Sequence, residues 1–188
     1  MEQAKREIIA AGQALAAQGL IVAADGNLSC RLDQERVLIT ASGVNKGQLE
    51  LEQVLEINQA GELVRGSGQI SIEAGLHLAL YAANPAILAI IHAHPPYATA
   101  FALAGQALSG LLPEEARLIL GEVPVAPYAP AGSAELAAYA AAYGRDCCAI
   151  LLERHGAVSW GESMAQALQI METVEQTARI LLYRRLLT

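Results

Sequence analysis

Two histidines, His92 and His94, stand one residue apart at the end of the apolar segment AILAIIHAHPP, in a chain that has only four histidines. A short run rich in Ile is typical of a buried strand, and residues i and i+2 of a strand face the same side. Both imidazoles are therefore predicted to point the same way, with Pro95 and Pro96 ending the strand. Such a pair indicates either a metal site or two structural core histidines.

Further ligand types occur elsewhere in the chain. His155 also follows an apolar run, in AILLERHGAVSW, and Glu73 and His77 lie four residues apart, on one face of a helix. Three imidazoles and one carboxylate suit Zn²⁺ or another divalent ion. Spacing alone leaves open whether Glu73 or His77 is the fourth ligand, since His77 could equally be a core residue. The cupin barrel also uses a His-x-His pair, but its carboxylate follows the pair closely and its chain is nearly all β.

Three segments with glycines and small polar residues precede the histidine pair: GNLS, ITASGV and GSGQIS. Glycine lets backbone N–H groups approach an anion, and Asn and Ser side chains add neutral donors. Ser71 would also precede the helix that begins near Glu73, whose N-terminus favours an anion. None of these segments matches a P-loop or a dinucleotide motif, and each is also typical of a turn. A phosphate held here is predicted to bind through neutral donors, with Lys46 as the nearest cation.

The elements that must position these residues alternate without a strict βαβ rhythm. Hydrophobic periodicity and capping residues predict helices over 3–18, 73–83, 96–104, 133–143 and from 163 toward 187, and strands over 27–32, 36–40, 54–58, 87–94, 122–125 and 147–153. This mixture indicates a layered α/β or α+β domain with much antiparallel pairing. Without a linker or an internal repeat, residues 1–188 are predicted to form a single domain.

Composition excludes several classes of partner. With a net charge of −7 and 16% charged residues, the chain is not expected to bind nucleic acid or an anionic membrane, and its low charge content favours oligomerisation. We expect no signal peptide and no membrane span. Three cysteines, two of them adjacent and predicted to be buried, favour the reducing cytoplasm.

Taken in order, the segments GNLS, ITASGV, SIEAGLHLALY, HAHPP and RHGAVSWG resemble the class II (zinc-dependent) sugar-phosphate aldolases, a family that includes related epimerases and the adducin head domain. Within it, the L-fuculose-phosphate aldolases are the branch that the chain resembles most. The resemblance implies a three-layer αβα fold with a largely antiparallel central sheet. It also implies a homotetramer with active sites at the subunit interfaces.

The resemblance further assigns roles to individual residues. It implies that His92, His94 and His155 bind zinc and that Glu73 is a displaceable ligand and the catalytic acid/base. The residues implied to hold the substrate phosphate are Asn27, Ser42, Gly43 and Ser71.

The pattern departs from that family at two places that bear on the reaction. Ile72 occupies the position of a second phosphate-binding serine, and the segment LLPEEARLILGEVP lacks the tyrosine that acts as proton donor from a neighbouring subunit. Glu115, or alternatively Glu114, is predicted to replace that tyrosine, although both could be solvated acids on a helix face.

The implied reaction is retro-aldol cleavage of a phosphorylated ketose, such as L-fuculose 1-phosphate, to dihydroxyacetone phosphate and an aldehyde. The alternative is a zinc-dependent epimerase, dehydratase or decarboxylase acting on a phosphosugar. A non-enzymatic scaffold, as in adducin heads, is a third possibility.

Overall fold

The computed structural model describes residues 1–187 and contains one eight-stranded sheet with helices on both faces. The strands are β1 (Asn27–Arg31), β2 (Arg36–Thr40), β3 (Val54–Asn58), β4 (Leu63–Arg65), β5 (Ala89–Ala93), β6 (Val125–Ala126), β7 (Ala149–Leu152) and β8 (Gly156–Gly161). The helices are α1 (Glu2–Ala17), α2 (Ala74–Ala83), α3 (Pro96–Leu103), α4 (Glu114–Leu120), α5 (Ala134–Tyr143) and α6 (Met164–Arg185), together with two 3₁₀ helices, Lys46–Gln48 and Leu51–Gln53.

The sheet has the strand order β4-β3-β2-β1-β5-β8-β7-β6. Every pairing is antiparallel except the one between β6 and β7. Alternate residues of the strands enter two separate hydrophobic cores, one shared with α1, α3, α4 and α6 and the other with α2 and α5. The predicted three-layer αβα fold with a largely antiparallel sheet is confirmed.

Strand β5 lies at the centre of the sheet, between β1 and β8, and all five of its residues are buried. Ile91 packs into the core on one face, whereas Ile90 packs against α2 on the other. Fully burying a side chain of this size contributes about 2 kcal/mol. The strand that carries His92 is therefore held in place by its apolar neighbours and does not depend on a ligand.

Strand register brings the polar residues of β1 to the same face as His92. Asn27 is the direct cross-strand partner of His92, and Leu28 between Asn27 and Ser29 packs on the opposite face. Asn27 and Ser29 therefore face α2, the helix that follows Glu73.

Several sequence predictions differ from the structure in detail. The strand predicted over 87–94 ends at Ala93, so His94 lies just beyond it. The strand predicted over 147–153 begins at Ala149, which leaves Cys147 and Cys148 half-buried. Strands β4 and β8 and helix α4 were not predicted as elements.

At the start of α6, Ser163 and Gln166 have the spacing of a capping box, but the box is only half formed. The Ser163 hydroxyl accepts the Gln166 N–H at 3.2 Å, but the Gln166 side chain accepts the N–H of Glu162, at 2.7 Å, and not that of Ser163. None of the described helices combines the length and the apolar character needed to cross a bilayer.

Candidate metal centre

The three predicted histidine ligands come together at one end of the central strands. His92 is the penultimate residue of β5, His94 follows two residues later, and His155 lies in the three-residue turn that joins β7 to β8. The ring centroids of His92 lie 4.8 Å from His94 and 4.7 Å from His155. One nitrogen from each ring lies within 4.8 Å of the other two, a spacing at which the three could hold a metal ion.

Glu73 reaches this cluster from the residue before α2. One of its carboxylate oxygens lies 3.3 Å from Nε2 of His92 and the other lies 3.6 Å from Nε2 of His155. Zinc bonds of about 2.0–2.2 Å in a tetrahedron put neighbouring ligand atoms roughly 3.4 Å apart. The spacing of Glu73 from these two histidines therefore fits a shared ion.

Several atoms in this cluster are buried without a hydrogen-bond partner. Among the described residues, Nε2 of His92, Nε2 of His94 and Oε1 of Glu73 all have none. A buried polar atom without a partner is costly, so native proteins rarely contain three together. A divalent ion would satisfy all three, and the donor set of imidazole and carboxylate suits zinc.

The tautomer of His92 also fits metal binding. Its Nδ1 lies 3.0 Å from the carbonyl oxygen of Ala157, which can only accept, so Nδ1 carries the proton. The lone pair of Nε2 is then directed at the cluster, as it is in many metal-binding histidines. Burial lowers the pKa of His92, and it does the same for His94 and His155. All three rings are therefore uncharged at neutral pH, the state in which they bind metal.

Burial alone would raise the pKa of Glu73, but attraction to His92 and a hydrogen bond from Asn27 outweigh it, and the pKa lies below its ordinary value. The hydrogen bond from Asn27 favours the ionised form of Glu73, and it does not depend on the charge of His92. The Asn27 amide nitrogen donates to Oε2 of Glu73 at 2.8 Å.

A chain of buried hydrogen bonds extends from Asn27 into the core beneath α2. A carboxylate only accepts, so the amide nitrogen of Asn27 must face Glu73 and its oxygen must face Nε2 of His77, at 2.5 Å. Nε2 of His77 therefore carries the proton, and its Nδ1 accepts from the Ser29 hydroxyl at 2.6 Å. The Ser29 oxygen in turn lies 2.8 Å from the hydroxyl of Tyr81.

These contacts bear on the alternative that the sequence left open. Both ring nitrogens of His77 are used within the chain of hydrogen bonds, whereas Glu73 keeps one oxygen free. The geometry therefore favours Glu73 over His77 as the fourth ligand. Complete burial lowers the pKa of His77 to about 3, so this ring is neutral.

The residues predicted to hold a phosphate line one cavity together with the cluster. This cavity of about 210 Å³ has walls that include Glu73, His94 and His155, and it is also lined by Asn27, Ser42, Gly43 and Ser71. The Ser71 hydroxyl accepts the Glu73 N–H at 3.3 Å and keeps its own proton to donate. Asn27 uses one of its two amide hydrogens on Glu73 and keeps the other.

Sequence reasoning missed two charged residues of this cavity. Asp25, next to Gly26, contributes an exposed carboxylate 3.8 Å from Nδ1 of His94. Lys46, which the sequence presented only as the nearest cation, lines the cavity wall. Only the fold shows these positions, because neither residue belongs to a recognisable motif.

Glu115 lies elsewhere. It is exposed near the start of α4 and lines a groove between α4 and α6 that shares no residue with the metal cavity. Within one protomer it therefore contributes nothing to the cluster, and its action across a subunit interface stays a prediction.

Comparison with known proteins gives a consistent family but several reactions. Residues 6–182 match the family described as the class II aldolase and adducin N-terminal domain. The 3-oxo-tetronate 4-phosphate decarboxylase of Haemophilus influenzae is 33% identical, covering 94% of this chain and 85% of that protein. A methylthioribulose-1-phosphate dehydratase of Pseudomonas aeruginosa is 34% identical, covering 93% and 91%. The crystal structure of L-fuculose-1-phosphate aldolase from Thermus thermophilus is 34% identical and superimposes with a TM-score of 0.89, covering 99% of this chain and 96% of that one.

Proposed function

Because the chain belongs to the family of the class II aldolase and adducin N-terminal domain, we propose that it is a zinc-dependent lyase acting on a phosphosugar. The leading reaction is retro-aldol cleavage of a phosphorylated ketose, such as L-fuculose 1-phosphate, to dihydroxyacetone phosphate and an aldehyde. The observation that carries this proposal is the group of buried atoms on His92, His94 and Glu73 that have no hydrogen-bond partner, in a cluster whose members Glu73 and His94 line the cavity.

In this proposal His92, His94, His155 and Glu73 hold a divalent ion, with zinc the expected one. Such an ion supplies a Lewis acid that polarises the ketone and stabilises the negative charge developing on the oxygens beside it. The neutral histidines offer lone pairs without having to lose a proton.

Glu73 is placed to move the proton. As the carbon–carbon bond breaks, its carboxylate accepts the proton of the substrate hydroxyl that becomes the aldehyde oxygen, and it then returns a proton to the carbon left behind. The hydrogen bond from Asn27 fixes Oε2 while Oε1 stays free to exchange with the substrate. Asn27, Ser42, Gly43 and Ser71, which line the same cavity, would hold the phosphate.

A second candidate keeps the site and changes the bond that breaks. Two of the relatives are a decarboxylase and a dehydratase, both named for phosphorylated substrates. Loss of carbon dioxide from a carboxylate beside a ketone leaves an enolate. Dehydration of a ketose also passes through an enolate, which forms when a proton beside the ketone is removed and before hydroxide leaves, so one metal site could serve either reaction. Epimerisation is a further reaction of this class.

We further propose that the protein is a cytoplasmic homotetramer with its active sites at subunit interfaces. Exposed leucines on and beside α4, Leu111 at 75% and Leu118 at 72%, supply apolar area that a neighbouring copy could cover. The cysteines are all free, which fits a reducing compartment.

The test combines metal analysis with a substrate panel. We expect the purified chain to contain zinc and to release dihydroxyacetone phosphate from one or more phosphorylated ketoses. Activity should disappear on chelation and return when zinc is added back. Glu73→Gln keeps the size of the side chain but cannot exchange the proton, so kcat should fall about 10²–10⁴-fold, while the three histidines retain the metal.

The same panel separates the candidates. If the chain releases carbon dioxide from 3-oxo-tetronate 4-phosphate, or water from methylthioribulose 1-phosphate, and cleaves no ketose, that result would reject the retro-aldol reaction in favour of decarboxylation or dehydration. If the purified chain contains no metal and catalyses none of these reactions, the proposal that it is an enzyme is rejected, and a non-enzymatic scaffold is the remaining possibility.

A further inference from the structure

Lys46 is a charged side chain that the fold buries beside the metal cavity. It begins the first 3₁₀ helix and is 1% exposed, yet it lines the same cavity as Ser42, Gly43 and Ser71. Its Nζ donates to the carbonyl oxygen of Ala24 at 3.0 Å and to that of Val44 at 2.8 Å. An ammonium has three N–H groups, and in the described part of the chain the third has no protein acceptor.

The charge of Lys46 lacks a counter-ion as well. In residues 1–187 it forms no ion pair with a carboxylate. Carbonyl groups satisfy its hydrogen bonds but do not neutralise it, and a buried charge without a counter-ion is unfavourable. Asp25 is the acid that acts on it electrostatically, and its carboxylate is largely exposed.

The other charges on the cavity wall make a cation necessary for an anionic ligand. Asp25 and Glu73 both carry negative charge into this cavity, and the hydroxyl and backbone groups around it are neutral. A phosphate dianion would therefore meet two carboxylates. Among the described residues that line the cavity, Lys46 is the one lysine or arginine that can offset them.

We propose that Lys46 is a phosphate-binding residue whose buried ammonium is the counter-ion of the substrate phosphate. Its two carbonyl contacts join the segment before Gly26 to the segment after Gly43, so they also hold the walls of the phosphate pocket together. This revises the expectation that neutral donors alone bind the phosphate. It rests on the proposed function only in that the substrate carries a phosphate, and it favours doubly charged phosphosugars over unphosphorylated sugars.

A purely structural lysine is the competing explanation, and Lys5 provides a matched control for it. Lys5 also donates to two backbone carbonyls, those of Leu51 at 3.0 Å and Val54 at 2.5 Å, but it lines a different groove. Lys46→Met and Lys5→Met remove the same kind of contact while keeping a long apolar side chain. Only the first change removes a charge from the metal cavity.

The experiment measures the dissociation constant of inorganic phosphate by titration calorimetry on the full, zinc-supplemented chain. We expect Lys46→Met to raise it at least tenfold, Lys46→Arg to raise it less, and Lys5→Met to change it by less than twofold. Equal phosphate affinity in Lys46→Met and wild type would overturn the proposal, while cleavage of phosphosugars by the wild type would leave the proposed function standing. A wild-type chain that does not bind inorganic phosphate at all would also overturn the proposal for Lys46, and the proposed function would still be decided by the substrate panel.

A spectroscopic measurement covers the case in which Lys46→Met does not fold. The NH₃⁺ resonance of Lys46 in the ¹⁵N-labelled wild type, identified by its absence in Lys46→Arg, should shift when inorganic phosphate is added. The resonance of Lys5 should not. A Lys46 signal that stays in place when phosphate saturates the protein would reject the contact.

Discussion

At the scale of single residues, the candidate site depends on which atoms accept and which donate. Glu73 can only accept, and this one constraint determines the orientation of Asn27 and the tautomer of His77. Ser29 and Tyr81 complete the chain of hydrogen bonds on the side away from the cavity. Residues that never contact the substrate therefore fix the carboxylate proposed to exchange its proton.

The lowered pKa of the buried His77 leads us to predict that the protein loses stability in acid. Its pKa of about 3 in the folded protein lies well below the ordinary value of 6.5, so between these values the unfolded chain binds a proton that the folded chain does not. Stability is then fully present above pH 6.5 and decreases as the pH falls, by roughly 3 kcal/mol at pH 4. The three clustered histidines, whose pKa values burial also lowers, add to the same trend.

Urea unfolding of the metal-free protein at pH 7 and pH 4 measures this loss. His77→Gln removes the titrating group but keeps an amide nitrogen that can donate to Asn27, so its stability should decrease less between the two pH values. His155→Gln, which replaces a partly exposed histidine, should change the difference less. An identical decrease in His77→Gln and wild type would contradict the assignment.

At the scale of elements, the central strands and the turns that follow them position the ligands. Much of this was predictable, because the strands over 36–40 and 54–58 have strong local patterns and the structure has the same bounds. Strand β4 was missed because its three residues are all exposed and give no alternation of apolar and polar residues. Strand β8 was missed because it begins at Gly156, directly after the turn that carries His155.

The candidate site, like the strands, could be predicted only in part from the sequence. The sequence predicted His92, His94 and His155 as candidate ligands because each follows an apolar strand-like run. The choice of Glu73 over His77 came from the family resemblance. The sequence could not show that Asn27 on β1 is the cross-strand partner of His92 on the adjacent strand β5, because the spacing of residues along the chain does not determine the register between strands. The burial of Lys46 against Ala24 is likewise a contact between two loops that only the fold brings together.

Gly156 allows His94 to take its position, and this can be tested by adding one methyl group. A Cβ at this residue would lie 2.5 Å from Cδ2 of His94 and 2.6 Å from the carbonyl oxygen of Ala93. We expect Gly156→Ala to displace the His94 ring and to weaken zinc binding roughly 10–100-fold, the range seen when a ligand loses its support.

Competition with a zinc indicator measures this affinity. Gly75→Ala is the control, because a Cβ there meets no atom within 4 Å and the residue lies inside α2. It should leave zinc affinity unchanged and stabilise the protein by about 0.5–1 kcal/mol, since Ala favours a helix over Gly. Unchanged zinc affinity in Gly156→Ala would show that the ring can move aside without losing its ligand position.

At the scale of the whole molecule, the question is what a second copy contributes. Glu115 lines a groove that is separate from the metal cavity. If it donates a proton, it must act on the cavity of a neighbouring subunit. Glu115→Gln alone should then lower kcat while leaving zinc content intact, because the metal ligands are untouched.

Mixing two inactive variants tests whether the site is shared. Glu115→Gln and His92→Ala chains, refolded together, should recover part of the wild-type activity because some interfaces then combine an intact metal site with an intact Glu115. Chains of the two variants kept apart should stay inactive. Full activity of Glu115→Gln by itself would show that Glu115 is not the proton donor. A tyrosine such as Tyr97 or Tyr128 would then be the next candidate for that role.

The two outer strands of the sheet have a consequence for how copies of this chain can associate. An open sheet exposes unpaired backbone groups along its edges, and these can template the addition of further strands into fibrous aggregates. Here β4 offers only three residues, ending in the charged Arg65, and β6 only two. Edges this short nucleate strand addition poorly, so the wide sheet can remain open at high cellular concentration while the helical faces stay free for ordered assembly.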